Sequence, residues 1–488
     1  MSTKNSKEKS KEAPLGNQQG DSAENIFVNK NGELWGKQTQ LSLKYFAIGK
    51  HTFENQFIDA LVSIKRACAQ VNHGLELISN EQLEAIIHAC DAILNGEHYD
   101  QFPLRVWQTG SGTQTNMNIN EVVASLANAF VRDNSPKGIS SDVARLHPND
   151  HINMSQSSND VFPTAMHIVV AQQTLERLVP SLEQMARELS QKQSEFDSFY
   201  TVGRTHLMDA LPIKAGVLLL AHEQQVTAAK RAIQESLFPV YQLALGGTAV
   251  GSGANAPELF GQHAIALLAE QYQLPFIQHP NLYAAVSGED ALVRLSSSLK
   301  QLATTLFKIA NDFRLLGSGP RCGLNEWKLP ANEPGSSIMP GKVNPTQCEA
   351  LSMVCLQVFG NDLTVSLAAS NGQLQLNTYR PVIIHNILES IELLADAMTS
   401  FSKNTIRGLK LNHAQIDVNM RNNLSVITLL APKIGYDVAS TIVHRADKKN
   451  ETLAQAAEAL HLFTQAEFKC LIDEQLKILL LNPEMNNE

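Results

Sequence analysis

The chain is 488 residues long and carries 48 acidic against 39 basic side chains, a formal net charge of −9. That balance argues against a general phosphate-backbone surface, which needs clustered Lys and Arg. Hydrophobic residues make up 43% and charged residues 18%, ordinary for a globular chain of several domains, and no uninterrupted apolar run is long enough to cross a bilayer, so neither a nucleic acid nor a membrane is an expected partner.

Residues 1–25 are rich in Lys, Ser, Glu, Gln and Gly and contain almost nothing to bury, which predicts a disordered tail. The stretch has no Arg and no apolar core, and it carries Glu8, Glu12 and Asp21; it resembles neither a secretory signal nor a mitochondrial transit peptide, and a cytoplasmic address is expected. Six cysteines, Cys68, Cys90, Cys322, Cys348, Cys355 and Cys470, are scattered without a CxxC pair, four of them in apolar surroundings. Buried free thiols in a reducing compartment fit that usage.

Further along, residues 110–118 read GSGTQTNMN and residues 147–160 read HPNDHINMSQSSND. After Asp160 the apolar positions Leu175, Leu178, Leu182, Met185 and Leu189 share one face, and Pro163 suits the first turn of the helix they predict. Residues 202–210 read VGRTHLMDA. The glycines Gly246, Gly247, Gly251 and Gly253 do not follow a clear strand, so a tight helix connection explains them better than a dinucleotide fingerprint. From 291 to 316, Leu292, Leu295, Leu299, Leu302, Leu306, Ile309, Phe313 and Leu316 alternate at spacings of three and four, a sustained heptad seam that ends at Gly317, Gly319 and Pro320. Residues 335–350 read GSSIMPGKVNPTQCEA. Asn344 as N-cap with Pro345 behind it starts another helix through Leu351, Cys355 and Val358, and a further one starts near Pro381 and carries Ile384, Leu388, Ile391, Ala395 and Met398. The pattern predicts a mainly α protein built around a bundle of long, roughly antiparallel helices, with few alternating strand patterns.

The four polar segments between the rods concentrate hydroxyls, amides, His and Lys with glycines that let backbone approach a ligand. They supply many neutral donors and a few cations, and contain no His-Glu-x-x-His and no Cys cluster. Such a set suits a small dicarboxylate, whose oxygens need several directed donors and local positive charge. Taken singly, each residue has a plainer explanation. A loop His206 is often merely solvated, Gly-Ser-Ser around Ser336 is common loop chemistry, Glu349 could answer a helix dipole, Lys342 could be a surface lysine, and Asn344 and the Ser157-Ser158-Asn159-Asp160 run could be helix caps.

Taken together the four segments resemble those of class II fumarases in the fumarase/aspartase superfamily. The stretch around Ser336 is similar to the superfamily signature GSSxMPxKxN, and the similarity extends from about Leu34 to the end, including TQCEA, SGPRCG at 318–323 and IGYDVA at 434–439. The resemblance implies a fumarase/aspartase-like fold: a mostly helical amino-terminal domain over 26–154, a central long-helix bundle and oligomerisation domain over 155–410, and a small helical carboxy-terminal domain over 411–488. It implies reversible hydration of fumarate to L-malate through an aci-carboxylate carbanion, without metal or cofactor. In catalysis, Ser336 is the expected base, activated by Lys342 and loop N–H groups, and His206 handles the leaving water, held by Glu349. Substrate contacts are expected from Ser111, Gly112, Thr113, Ser157, Ser158, Asn159, Thr205, Ser337, Lys342, Val343 and Asn344, and a secondary anion site from His147, Pro148, Asn149 and Asp150. A homotetramer whose sites each draw on three subunits is also implied, and the heptad seam leaves apolar faces for partner chains.

Some positions depart from the family pattern. Met208 stands where Gln is usual, Gln375 where Glu is usual, Ala144 replaces an Arg of the secondary anion site, and the segment from Asn128 to Arg145 is longer. The nearest rival reading is an ammonia-releasing relative such as aspartase, which makes the same carbanion. Gly110-Ser111-Gly112-Thr113-Gln114 and Thr346-Gln347-Cys348-Glu349 lean against it. A non-catalytic helical structural protein is the distant rival, and such a scaffold would need none of Ser336, His206, Lys342 and Glu349.

Overall fold

The computed structural model describes residues 32–134, 145–333, 335 and 337–481; the expected tail over 1–25, and with it Glu8, Glu12 and Asp21, lies outside them. Helices α1 (Lys37–Tyr45), α2 (Asn55–Gly74), α3 (Asn80–Leu94) and α4 (Thr113–Asn134) come first. Along α2, Phe57, Leu61, Ile64 and Cys68 recur at helical spacing and are fully buried, so this helix packs against its neighbours over its whole length.

The next helix, α5 (Ser158–Gln173), begins earlier than Pro163 suggests. Ser157 and Asp160 form a reciprocal capping box, which satisfies two backbone donors and sets the start. Pro163 therefore lies inside the helix, where it cannot donate to the carbonyl of Asn159. That carbonyl instead accepts from the Arg380 guanidinium at 2.7 Å. Helical backbone continues through a π-turn at Thr174–Leu178 into α6 (Val179–Phe196), making one rod of residues 158–196.

An antiparallel hairpin follows, β1 (Tyr200–Thr205) and β2 (Met208–Lys214), which the sequence reading did not anticipate. Then α7 (Val217–Val240) returns along α6. The short β3 (Gln242–Leu243) pairs in parallel with β4 (Ile277–Gln278); between them the glycine run 246–253 serves as the expected helix connection and leads to α8 (Phe260–Tyr272). After α9 (Leu282–Ser287) come α10 (Asp290–Leu316), β5 (Trp327–Lys328), α11 (Thr346–Ser370), α12 (Arg380–Phe401) and β6 (Lys410–Leu411), which pairs with β5.

The long helices close a ring: α6 on α7, α7 on α10, α10 on α11, α11 on α12, and α12 back on α6. The α10 seam from Leu292 to Phe313 is buried throughout, each such side chain contributing about 1.5–3 kcal/mol through burial. This seam is therefore spent within the chain and offers no face to a partner. The open apolar face is on α11, where Met353, Leu356, Leu363 and Leu367 are 56–64% exposed. With Leu351, Cys355 and Val358 buried on its other side, α11 carries apolar residues on both sides, and by length and composition alone it is long and apolar enough to cross a bilayer. Polar Asn361 and Asp362 are buried midway along it, bonded to α12 and α10 respectively.

The ring has two distinct ends. At the first, α5, α10 and α12 begin and α7 and α11 finish: His167 Nδ1 lies 2.9 Å from the Val240 carbonyl, and Asn377 donates to Ala368. At the second, α6, α10 and α12 finish and α7 and α11 begin, with the Phe313 and Phe401 rings 5.1 Å apart. Beyond it lie α13 (His413–Asn422), α14 (Ala431–Ile434), α15 (Tyr436–Lys449), α16 (Leu453–Ala459) and α17 (Gln465–Leu481). A core of their own, including Leu430, Ile442, Ala456 and Phe468, forms among α14–α17 and the turn before them.

Arg380 ties the first end together. Its fully buried guanidinium donates to Glu289 Oε1 at 2.6 Å, to the Val286 carbonyl and to the Asn159 carbonyl, and its backbone N–H donates to Gly110. Burial raises the Glu289 carboxyl pKa, and Arg380 opposes that rise. Breaking a buried pair strands the remaining charge. Arg380→Met is expected to cost about 3–5 kcal/mol, read as a lower urea midpoint, with part of the loss recovered in Arg380→Met/Glu289→Gln; an unchanged midpoint contradicts the assignment.

Candidate active site

Two of the polar segments meet at the first end of the ring. Ser111 Oγ and Thr113 Oγ1 are 2.8 Å apart, and one turn on, Asn116 Nδ2 reaches Ser158 Oγ at 3.2 Å. The side chain of Asn159 donates to Ala249 while its carbonyl is held by Arg380. The contact is close because Gly112 permits it: at φ +75° a Cβ would sit 2.1 Å from the Phe162 ring, and Phe162 is itself fixed edge-on against Phe57 at 5.0 Å. Ser111, Gly112, Thr113, Ser157, Ser158 and Asn159 thus form one cradle where the amino-terminal ends of α4 and α5 converge. Free N–H groups and the positive dipole ends make such a place suited to an anion. The local carboxylate, Asp160, is fully buried and is engaged by the backbone N–H groups of Ser157, Gly246 and Thr248.

His206 stands at the other end, at the tip of the β1–β2 hairpin. Thr205 pairs with Met208 across a two-residue turn in which His206 and Leu207 both have positive φ, 55° and 62°. Such a turn favours Asn-Gly; for His-Leu it costs roughly 1–2 kcal/mol per residue, and backbone strain of this kind gathers at functional positions. Thr205, His206, Leu207 and Met208 are all exposed. The hairpin is anchored from below by Arg204, which grips Glu326 through both guanidinium nitrogens at 2.6 and 3.0 Å, a contact that raises the already high arginine pKa. Thr201 and Asn419 also donate to Glu326.

The loop 335–344 lies at this same end, between α10 and α11. Gly335 N donates to Lys342 O at 3.0 Å and Asn344 Nδ2 to Gly335 O at 2.5 Å. Asn344 therefore closes the loop, and Pro345 takes the N-cap position of α11, a correction to the expected cap. Ser337, Lys342 and Val343 are exposed, and Ser336 lies outside the described residues. Glu349 is exposed in the first turn of α11. Within the chain, among the described residues, neither it nor His206 has a hydrogen-bond partner for its side chain.

The two groups of residues do not meet in one chain. Lys342 and Asn344 adjoin the start of α11, the cradle adjoins its end through Asn377, Thr378 and Arg380, and 25 residues of helix span about 37 Å. The 158–196 rod separates Ser158 from the hairpin by more. The HPND run folds as a π-turn with His147 as N-cap: its Nδ1 accepts from Asn149 and Asp150 and lies 3.2 Å from the Asp150 carboxylate, while Pro148 is buried. Ala144 lies outside the described residues. No three His, Cys, Asp or Glu side chains gather into a metal-holding group among the described residues. Four of the cysteines, Cys68, Cys90, Cys348 and Cys355, are buried free thiols as expected, whereas Cys322 and Cys470 are exposed.

Sequence reasoning missed Arg380, Asn116 and the Arg204–Glu326 anchor. The only signal for Arg380 was an arginine preceding a helix-starting proline, and nothing local marks it as buried.

Residues 26–360 match the family described as Lyase and residues 426–475 the one described as Fumarase C C-terminus. The chain is 51% identical over 434 residues to fumarate hydratase class II 1 of Pseudomonas aeruginosa, covering 89% of this chain and 92% of that one. It is 48% identical over the same span to fumarate hydratase class II of Thermosynechococcus vestitus, again covering 89% and 92%. The crystal structure of recombinant class II fumarase from Schistosoma mansoni superposes with a TM-score of 0.85 at 40% identity, covering 92% of this chain and 98% of that one.

The cradle's steric basis can be measured. Gly112→Ala combines a left-handed backbone with a clash against a fixed ring and should cost about 2–5 kcal/mol on denaturant titration. Gly341→Ala, also at positive φ (+76°) but facing open space, should cost only about 1 kcal/mol; equal losses would refute the steric reading.

Proposed function

The chain belongs to the class II fumarate hydratase family, and from that premise we propose that each active site is assembled across chains, the cradle of one subunit facing the hairpin and loop of others. The reaction is the reversible hydration of fumarate to L-malate, a lyase reaction on a small dicarboxylate.

Forming fumarate from malate removes a proton from carbon beside a carboxylate, which creates an extra-charged aci-carboxylate. A base is needed on that face, an acid on the opposite face near the leaving hydroxyl, and preorganised donors around the charged carboxylate. In the reading we favour, Ser336 is the base. Depressing a serine pKa demands about 1.4 kcal/mol per unit, and an ammonium such as Lys342 at about 4 Å contributes roughly 4 kcal/mol at an effective dielectric of 20; the N–H groups of the loop must supply the rest. His206, paired with Glu349 of another subunit, delivers the proton to the departing water; a carboxylate on one imidazole nitrogen fixes the tautomer and favours the charged ring. Hydroxyls and amides of Ser111, Thr113, Ser157, Ser158, Asn159, Thr205, Ser337 and Asn344 hold the carboxylates, with the backbone of Gly112 and Val343 close to the ligand. One well-placed donor lowers the barrier by about 3–4 kcal/mol. The HPND turn is read as a secondary anion site near the entrance. Catalysis in this scheme uses neither metal nor cofactor, and the cytoplasm is the expected compartment.

The observation that carries the shared-site reading is the span of α11, which holds the cradle and the loop about 37 Å apart, together with the exposed apolar face of Met353, Leu356, Leu363 and Leu367 on that same helix. Packing this face against copies of itself in an antiparallel sense brings one chain's loop to another's cradle, and a homotetramer closes the arrangement.

Incubated with L-malate or L-aspartate, the enzyme should produce fumarate, read by its ultraviolet absorbance, from malate alone; fumarate from aspartate would favour an ammonia-lyase. Mixing inactive Asn159→Ala and His206→Asn chains by refolding should restore roughly a quarter of the wild-type rate, the chance that both halves of a site come from intact chains. No recovery in hybrids of confirmed mass counts against shared sites.

A further inference from the structure

Lys65 lies mid-way along α2 with its side chain wholly out of solvent. Burying an ammonium costs several kcal/mol, and a carboxylate in direct contact normally offsets that. Lys65 forms no ion pair among the described residues. Its Nζ donates instead to two neutral amide oxygens, Asn153 Oδ1 at 2.8 Å and Gln156 Oε1 at 3.0 Å. The Asn153 oxygen also accepts from Asn116 Nδ2 at 3.1 Å and Asn120 Nδ2 at 3.3 Å. From Asn116 the next contact is Ser158 Oγ, at 3.2 Å. A buried positive charge thus stands behind the cradle, joined to it by a short chain of amides with no carboxylate interposed.

We propose that Lys65 is a positioning residue of the dicarboxylate cradle: through Asn153 and Asn116 it fixes the Ser158 hydroxyl, and its buried ammonium supplies from behind the positive potential that a substrate carboxylate meets. The inference rests on the reading of Ser158 as a substrate contact. A bound dianion adds, in the complex, to the attraction that Asp160 already exerts on the ammonium across the site.

The geometry has a pH signature. Burial lowers the Lys65 pKa to about 8. The titratable groups facing it are Cys68 on its own helix, Cys90 on α3 and Asp160 on α5, while α4 and the segment 153–156 present amides. Burial pushes the Cys68 thiol up, and the Cys90 thiol up to about 12, so both stay neutral at moderately alkaline pH. Burial also raises the Asp160 carboxyl pKa, opposed by its three backbone N–H donors. As pH rises through about 8 the ammonium is lost, and anion affinity falls with it.

The test uses succinate, a saturated four-carbon dicarboxylate that binds without reacting, as a competitive inhibitor of the intact enzyme. For wild type, Ki should rise about tenfold between roughly pH 7 and 9.5 as the ammonium titrates. In Lys65→Met, Ki and KM near neutrality should be raised about tenfold, kcat should stay within about threefold, and the alkaline rise in Ki should disappear. A folded Lys65→Met enzyme with wild-type Ki, or with the alkaline rise intact, overturns the proposal. Should that variant fail to assemble on gel filtration, the wild-type series decides alone, and a flat Ki overturns it. Ser158→Ala separates the two layers. Weakened succinate binding there beside an unaffected Lys65→Met defeats only the role of Lys65, whereas unaltered binding in Ser158→Ala defeats the cradle reading on which it rests.

Discussion

A rigid helix cannot bring its own ends together, and this limit governs how the chain can work. Residues of α11 rise about 1.5 Å each, so the loop carrying Lys342 at its start stays about 37 Å from the cradle of Ser111 and Ser158 at its finish. Bending that far would break the ladder of backbone hydrogen bonds and the packing against α10 and α12. The same helix carries apolar residues on more than one side, Leu351, Cys355 and Val358 covered by its own chain and Met353, Leu356, Leu363 and Leu367 open. Separation of the two groups of polar residues and the presence of an open apolar face are thus two consequences of one element.

The ends of the ring use charge differently. At the cradle, helix amino termini converge, and the acidic groups that cap and brace them are turned inward: Asp160 toward backbone N–H groups of the glycine run, Glu289 toward Arg380. The cradle residues themselves carry hydroxyls and amides and no carboxylate, on a chain of net charge −9, which suits a dianionic substrate. Pro163 contributes by subtraction: lacking an N–H, it leaves the Asn159 carbonyl to Arg380, and so locks α12 to the start of α5. At the opposite end the candidate residues stand on exposed parts, the Lys342 loop and the His206 hairpin. The hairpin is braced by Glu326, which collects Arg204, Thr201 and Asn419 at one buried carboxylate. A braced cradle and an exposed loop suit a reaction in which substrate carboxylates must be held still while protons move.

Much of the architecture was legible from residue spacing. The seam from Leu292 to Phe313 and the apolar positions of α12 follow helical periodicity, and both are buried as their spacing requires. The hairpin was not legible, because Tyr200 to Lys214 lacks clean alternation and its turn uses His-Leu in place of Asn-Gly. Asn344 misled for a local reason: it has the chemistry of a cap, yet a tertiary contact with Gly335 outcompetes that role. Pro163 misled similarly, since the capping box of Ser157 and Asp160 sets the helix start before proline can. The polar segments themselves stood out by composition, but composition does not say which of them adjoin.

The sequence by itself determined the helical class, the family to which the chain belongs, and the residue types available for holding and deprotonating a dicarboxylate, because periodicity and local motifs are encoded within short windows. Only the tertiary structure decided that the cradle and the Lys342 loop lie at opposite ends of one ring. It alone also revealed that the free apolar face is on α11 rather than α10, and that Arg380 and Lys65 are buried behind the cradle. Those facts depend on which distant segments pack together, and burial of a charged side chain is a property of its neighbours in space.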